Sequence, residues 1–270
     1  MRRCESFRLR FILPAPVADA CQREPQSVGN WKGSSMTLAE VMEELKLLAK
    51  PATLATYRRH GADGDMFGVQ IGDLKKVLKK IKGDQELALA LWDTGNGDAM
   101  YLAGLAADGR LMTRQQLDGW SRTAWWHMLS GYSLPGVAAE NEAACALAMK
   151  WLKMKDSKRA CAGWSTYSAV LSIRADDQLD LDEIRTLLKK VEAEIATAPN
   201  RVKYCMNGFV ISVGTYVKPL LEAAKATAKK IGIVEVDMGD TACQTPLATE
   251  MIAKVESMGR VGKKRKSAKC

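Results

Sequence analysis

Histidine is almost absent from this chain: only His60 and His127 occur among its 270 residues. The seven cysteines are scattered, and no two of them form a Cys-x-x-Cys pair. Structural zinc sites need Cys and His ligands at short, regular spacings, so the sequence predicts neither a metal site nor another cofactor. The odd number of cysteines and the lack of a disulfide-framework spacing suit a reducing cytoplasm.

Long apolar runs and strand patterns are missing as well. No stretch approaches the roughly 20 apolar residues that a helix needs to cross a bilayer, so we expect no membrane partner. Apolar and polar residues alternate as in a strand only in IVEVD, 233–237, which is short enough to be a loop edge. These absences leave an all-α protein as the predicted fold class.

The formal net charge of +9 is concentrated at the two ends of the chain. Residues 1–35 include six basic and three acidic side chains, and residues 259–270 include six basic side chains and no acidic one. The intervening 36–258 contain 28 basic and 28 acidic residues. If this neutral body binds a polyanion, it must do so through one asymmetric face.

A capping box at Thr37 and Glu40 marks the first clear helix start. We therefore predict a disordered extension over 1–35, a helical domain over 36–258 and a basic tail over 259–270. The tail sequence GKKRKSAKC fits a phosphate-binding arm, a localisation-like string or a disordered, solubilising tail.

About a dozen amphipathic segments follow one another from Met36 onward, with short Gly, Asp or Pro connections between them. Asp84, Asp156 and Asp180 are placed to cap three of these helices. This succession predicts an α-solenoid of stacked antiparallel helix pairs, and a compact helical bundle is the alternative. One predicted helix covers 121–133 and so contains Trp125 and Trp126.

Basic residues cluster at three places in the neutral body: 75–82, 150–159, and the pair Arg201 and Lys203. A charge run on a helix is commonly only a solvated face, but three runs in a neutral body favour a groove for a polyanion. The residues that we expect to contact a polyanion on this basis are Lys75, Lys76, Lys79, Lys155, Lys158 and Arg159, with Lys263, Lys264 and Arg265 in the tail.

Several motifs resemble those of the DNA alkylation repair enzymes, the alkylpurine DNA glycosylases built from HEAT-like repeats. They are FGVQIGDLKKVLKK, the tandem Trp125–Trp126, DSKRACAGWS, and the segments KYCMNGFVISVGTYVKPL, VEVDMGDTACQTPLA and GRVGKKRKSAKC, which resemble one branch of the family. The resemblance covers about residues 37–270. It implies a concave helical clamp around duplex DNA that releases cationic alkylpurines without base flipping.

The resemblance also implies roles for four positions. Trp126 matches the functional tryptophan of the tandem pair, and Arg159 matches an arginine that contacts phosphate. Phe209 falls on a further tryptophan position of the family, so the resemblance implies that Phe209 contacts DNA. The family's catalytic aspartate falls on Ser130, which cannot supply the carboxylate that stabilises a developing sugar cation. Asp156 and Glu140 are carboxylates that could substitute for it.

For the tryptophans we expect Trp125 in the repeat core and Trp126 toward the groove, the alternative being that both pack between helices. We expect His127 to be a surface or hydrogen-bonded residue rather than a base.

The sequence leaves three functions open: a glycosylase for cationic alkylpurines, a non-catalytic protein that binds damaged or branched DNA, or a helical scaffold for protein partners. The first two predict a monomeric, cytoplasmic, nucleoid-associated protein with duplex DNA, alkylated or branched, as partner. We expect DNA binding to weaken as salt rises, and because of Ser130 we expect excision to be slow or absent.

Overall fold

The computed structural model describes residues 36–269, and the prediction made for residues 1–35 lies outside this range. Within it there are thirteen α-helices: α1 (Leu38–Leu47), α2 (Pro51–Arg59), α3 (Ile71–Ile81), α4 (Gln85–Asp93), α5 (Gly97–Ala106), α6 (Arg114–Thr123), α7 (Leu134–Ala138), α8 (Ala144–Trp151), α9 (Ser157–Ile173), α10 (Leu181–Glu194), α11 (Asn200–Tyr216), α12 (Leu221–Ile231) and α13 (Ala248–Ser257). Short 3-10 turns lie at Gly109–Leu111, Asp176–Gln178 and Lys218–Leu220, and a π-helical turn lies at Leu129–Ser133.

The all-α prediction is confirmed for the described part of the chain. Between 36 and 269 the strand pattern is limited to one isolated antiparallel bridge, Ala49–Val69. The segment 233–237 is an irregular part of the connection between α12 and α13. Its alternating apolar residues have no neighbouring strand with which to pair.

The predicted helix starts are confirmed by their caps. Thr37 and Glu40 form the complete capping box at α1. The side chains of Asp84, Asp156 and Asp180 each accept hydrogen bonds from main-chain N–H groups in the first turn of α4, α9 and α10. A helix leaves its first N–H groups without partners inside the helix, which is why these short acceptors mark the starts so reliably.

Most helices pack against helices that are close to them in the sequence. α4 lies against α5, α8 against α9, and α11 against both α9 and α12. The core of the second half includes three aromatic rings, with Trp164 and Tyr167 of α9 in edge contact with Phe209 of α11. Contacts between successive units are the packing mode of stacked helical repeats.

Residues 260–269 depart from this neighbour-to-neighbour pattern. They form an extended segment, here called the strap, that crosses α11, α9 and α7. The main-chain N–H groups of Gly262 and Arg265 bond to the carbonyl oxygens of Thr215 in α11 and Ser172 in α9. Ala268 is buried with Ala139 and Val170. The sequence left a disordered tail open as one alternative, but this segment is packed on the helical domain.

Candidate nucleic-acid interface

The tandem tryptophans lie in a break between two helices. α6 ends at Thr123, and Ala124 leaves the helical region with ψ of 77°. Helical structure resumes at His127, and the carbonyl oxygen of Trp126 accepts hydrogen bonds from the N–H groups of Leu129 and Ser130 at 2.9 and 3.0 Å. The predicted continuous helix over 121–133 is therefore wrong at 124–126, and helical spacing does not decide where the two indoles point.

Trp125 is half-buried and lies against two glycines from other parts of the chain. A Cβ atom at Gly64 would come within 2.7 Å of its ring, and one at Gly97 within 2.8 Å. Its indole nitrogen donates a hydrogen bond to the carbonyl oxygen of Gly95 at 3.0 Å. Trp125 thus fills a place that only glycine backbone leaves open.

Trp126 is the more buried of the pair, with 3% of its surface exposed. Its indole nitrogen donates to the carbonyl oxygen of His60 at 3.2 Å, and its ring centroid lies 5.1 Å from that of Tyr57. The expectation that Trp125 is the core residue and Trp126 the exposed one is thus wrong. Both indoles pack between helices, which is the alternative that the sequence left open.

Ser130 lies on the π-helical turn that follows the tryptophans and is 1% exposed. Its hydroxyl oxygen has no hydrogen-bond partner among the described residues. The side chain therefore points into the protein, where a buried polar atom without a partner is a cost to stability. In this arrangement residue 130 does not present a reactive group to a bound sugar.

Arg159, at the start of α9, points toward the carboxylate of Asp118 in α6. Its Nη2 donates to Asp118 Oδ1 at 2.8 Å, and its Nε donates to the hydroxyl of Ser121 at 3.1 Å. Only 15% of the Arg159 side chain is exposed. Arg159 is therefore held by an internal carboxylate and lies at the inner edge of the surface rather than on it.

The cations bonded to Asp118 outnumber its single negative charge. Besides Arg159, its carboxylate accepts hydrogen bonds from the Arg122 guanidinium, the Lys150 ammonium at 3.0 Å and the Trp151 indole nitrogen at 2.8 Å. Burial alone would raise the pKa of Asp118, but the hydrogen bonds from Trp151 and Lys150 and the nearby cations hold the pKa below its ordinary value. One ionised carboxylate thus faces three cations, an excess of two positive charges.

Further basic side chains extend this cluster over the ends of three helices. The α6–α8–α9 basic surface, as we name it, consists of Arg114, Arg122, Lys150, Lys153, Lys155 and Lys158, all exposed, with Arg159 at its inner edge. Lys153, Lys155 and Lys158 form no salt bridge with any residue between 36 and 269. The second acid in this region, Asp156, accepts the N–H groups of Lys158 and Arg159 as the cap of α9.

Two lysines of α3 are paired with acidic side chains. Lys76 pairs with Asp73 at 2.8 Å, and Lys80 pairs with Glu44 of α1 at 2.7 Å. Lys75 and Lys79 are exposed, and no described acidic group pairs with either. Of the three α3 lysines predicted to contact DNA, Lys75 and Lys79 are therefore available, and Lys76 is partly neutralised.

Phe209 is fully buried, at 0% exposure. It lies between the rings of Trp164 and Tyr167, with centroid separations of 5.3 and 5.7 Å. The prediction that Phe209 contacts DNA is contradicted by this position. At a core position in α11 an aromatic ring stabilises the repeat by burial and edge contacts, without reaching a ligand.

The basic residues of the strap are split between internal and external positions. Lys264 pairs with Asp176 at 2.8 Å and donates to the carbonyl oxygen of Leu171, and Arg265 donates to the carbonyl oxygen of Lys269. These contacts make Lys264 and Arg265 structural residues, which differs from the expected phosphate-binding arm. Lys263 is exposed and stays a candidate for contact with DNA.

The two histidines lie close to Arg201, the first residue of the third basic cluster. Burial, followed by the positive charges of Arg201 and His60, lowers the pKa of His127 to about 3. Burial and the cations Arg201 and Arg59 lower the pKa of His60 as well. His127 is therefore a half-buried neutral imidazole, and Arg201, which donates to the Met238 sulfur at 3.5 Å, is not a free surface charge.

Sequence reasoning missed the centre of the basic surface. Arg114, Asp118 and Arg122 follow at intervals of four residues and so share one face of α6, which is a signal that the sequence contains. Their meeting with Lys150 and Arg159 depends on how α6 packs against α8 and α9, and no local pattern shows this.

Two further findings concern the described residues. Between 36 and 269 no group of three or more His, Cys, Asp or Glu side chains is arranged to hold a metal ion. None of the thirteen helices is both long and apolar enough to cross a membrane.

Comparison with known proteins adds independent information. The family model described as "DNA alkylation repair enzyme" matches residues 41–230. Two proteins are 32% and 31% identical over 229 residues, Lmo0209 of Listeria monocytogenes and Lin0241 of Listeria innocua, both described as uncharacterized. Each alignment covers 82% of this chain and 98% of the relative.

A solved structure is similar to this chain with a TM-score of 0.79 and 39% sequence identity, covering 87% of this chain and 100% of that one. It is described as "A new family of proteins related to the HEAT-like repeat DNA glycosylases with affinity for branched DNA structures". This likeness confirms the prediction of stacked, HEAT-like helix pairs over the compact bundle.

Proposed function

Because this chain belongs to the DNA alkylation repair enzyme family, we propose that it binds the sugar–phosphate backbone of duplex and branched DNA without excising bases. The α6–α8–α9 basic surface supports this proposal more than any other feature. Six of its cations are exposed, and Asp118 and Asp156 are already engaged as a buried partner and as a helix cap. A surface of this kind attracts phosphates without reading sequence.

The second basic face favours branched DNA as the preferred ligand. α3, with Lys75 and Lys79, packs against α1 and α5, whereas α9 packs against α6, α7, α8 and α11. The two basic faces therefore belong to different repeats of one compact unit, and a branched DNA offers two duplex arms that can meet two faces. The similar solved structure is described as having affinity for branched DNA, which agrees with this preference.

The proposal that bases are not excised rests on the positions of the candidate carboxylates. Release of a cationic purine is assisted by a negative charge near the sugar, and Ser130 is a buried hydroxyl. The two substitutes considered from sequence are both occupied. Asp156 caps α9, and Glu140 accepts hydrogen bonds from Lys269 at 2.9 Å and Ser267 at 3.0 Å.

The DNA-binding proposal is tested by fluorescence anisotropy with a four-way junction and a linear duplex of equal length, over a series of salt concentrations. We expect tighter binding to the junction and a steep loss of affinity with salt. Lys155→Gln and Lys158→Gln should each flatten the log–log salt slope by about one unit. Lys189→Gln, at an exposed lysine of α10, is the matched control and should leave the slope unchanged.

Undetectable binding to both DNAs at low salt would refute the proposal and favour a scaffold for protein partners. The catalytic part is tested separately, by incubating the protein with methylated duplex DNA and measuring released 7-methylguanine and 3-methyladenine. We expect no release above the uncatalysed rate. Strong release that persists in Ser130→Ala would show that the protein is a glycosylase whose carboxylate lies elsewhere.

A further inference from the structure

A pocket of about 330 Å³ opens between α6 and α8, at the edge of the α6–α8–α9 basic surface. It is lined by Arg114, Gln115 and Asp118 of α6 and by Ala146, Leu147 and Lys150 of α8. Its volume lies at the small end of the range of roughly 300–1,000 Å³ that is typical of small-molecule sites. It is large enough for one flat ring system with a charged group beside it.

The lining combines aliphatic and basic side chains. Ala146 and Leu147 supply the aliphatic part, here called the floor, while Arg114, Gln115 and Lys150 supply two cations and an amide. Asp118 does not repel an anion here, because its two oxygens already accept four donors, three of them cationic. With Arg114 included, the pocket and the side chains bonded to its one acid have an excess of three positive charges.

This combination matches a nucleotide better than a lone phosphate or an aliphatic ligand. The face of a base can lie on Ala146 and Leu147, and the planar guanidinium of an arginine stacks readily on an unpaired base. A glutamine amide both donates and accepts, as the edge of a base requires. The ammonium of Lys150 suits the phosphate, whereas a lone phosphate would gain nothing from the aliphatic floor.

We propose that this pocket binds one unpaired nucleotide of a branched or flapped DNA. The base lies on the floor between Arg114 and Leu147, and the phosphate lies beside Lys150. The proposal rests on the proposed DNA-binding function, and it names the feature that separates a branched DNA from a continuous duplex. In a duplex each base is stacked and paired, so that its face is not available to the pocket.

The test measures the ratio of affinities for two DNAs, a duplex with a three-nucleotide single-stranded flap and the same duplex with blunt ends. Ala146→Trp fills the floor at an exposed position without changing the charge, and Ala226→Trp, on the exposed face of α12, is its control. We expect Ala146→Trp to reduce the preference for the flap by about tenfold, within the range for loss of base stacking. Affinity for the blunt duplex should stay within about twofold.

Gln115→Ala, a second exposed position, should reduce the same preference and guards against an effect of the tryptophan on folding. An unchanged preference in both variants would overturn the pocket while leaving DNA binding intact. A direct measurement separates the pocket from the proposed function: the dinucleotide pTpT should shift the NMR methyl signals of Ala146 and Leu147. If pTpT shifts these signals in a protein that binds neither duplex, the pocket binds a nucleotide but the DNA-binding proposal is refuted. Equal shifts with a short poly-glutamate peptide would refute recognition of a base.

Discussion

The indole nitrogen of Trp126 donates a hydrogen bond to the carbonyl oxygen of His60, 66 residues earlier in the chain, at 3.2 Å. His60 directly follows α2 as its C-cap residue. The bond therefore ties the break after α6 to the end of a helix in the first part of the domain, and it fixes the tryptophan as a packing residue.

Trp126→Phe removes this bond and leaves unfilled space beside Tyr57. We expect the free energy of unfolding to fall by about 1–3 kcal/mol, from the lost hydrogen bond and the lost packing. Urea denaturation measures this change. Because the indole is buried, affinity for duplex DNA should not change. A variant of unaltered stability that has lost most of its DNA affinity would show that Trp126 contacts the ligand.

Ser130→Ala removes a buried hydroxyl that has no partner among the described residues. We expect the free energy of unfolding to stay the same or to rise by up to about 1 kcal/mol, since the alanine has no polar atom to leave unsatisfied. Chemical denaturation of the variant beside the parent protein provides the measurement.

Ser130→Asp should behave in the opposite way, because it introduces an unpaired carboxyl group into a closed site. A loss of more than about 2 kcal/mol is expected from the cost of burying an unpaired polar or charged group. A carboxylate at residue 130 would assist excision only if it faced a bound sugar, and the burial of Ser130 leads us to expect no increase in excision. Release of methylated bases by a stable Ser130→Asp protein would contradict this prediction.

The low pKa of His127 predicts a loss of stability in mild acid. Folded His127 takes up a proton only near pH 3, whereas an unfolded histidine does so near pH 6.5. Below about pH 6.5 the unfolded state therefore binds a proton that the folded state cannot bind. Stability is complete above that pH and falls toward pH 3, by at most about 1.4 kcal/mol per unit for one such group.

Equilibrium denaturation at pH 7, 6 and 5 tests this pH dependence, in a range where carboxyl groups are still largely ionised. His127→Gln should have a shallower dependence than the parent protein. His60, whose pKa is also lowered, should account for part of the remaining slope. The same slope in the parent and in His127→Gln would show that His127 is protonated alike in both states.

The pair between Lys264 of the strap and Asp176 should stabilise the domain. Both side chains are largely shielded, at 19% and 28% exposure, so breaking the pair leaves a partly buried charge. We expect Lys264→Met to lower the free energy of unfolding by about 1–3 kcal/mol. Lys266→Met, at an exposed position two residues later, is the control and should have little effect on thermal unfolding. Equal effects of the two substitutions would show that the pair does not stabilise the domain.

The features that the sequence predicted well are local ones. Asp84, Asp156 and Asp180 mark helix starts because a capping side chain bonds to N–H groups two or three residues away. The orientation of Trp125 and Trp126 could not be predicted in this way. It depends on the main-chain turn at Ala124 and on glycine surfaces contributed by distant segments.

The sequence showed where basic residues cluster along the chain, but it did not show which of them lie free on the surface. Lys155 and Lys158 are exposed as expected, whereas Lys264, equally basic in sequence, bonds to the carbonyl oxygen of a residue 93 positions earlier. The carboxylate of Asp118 organises the basic surface through contacts with side chains of α8 and α9. Only the packing of these helices shows which cations are free to meet a phosphate.

The strap changes how the helical array is expected to come apart. In an array of repeats each unit is held only by its neighbours, so the terminal units fray first and unfolding proceeds inward. Lys269 donates to the carbonyl oxygen of Ala107, 162 residues earlier, and so links the final segment to the middle of the array. Fraying of the last helices would have to break this long-range link as well, and the second half of the domain should therefore unfold as one cooperative block.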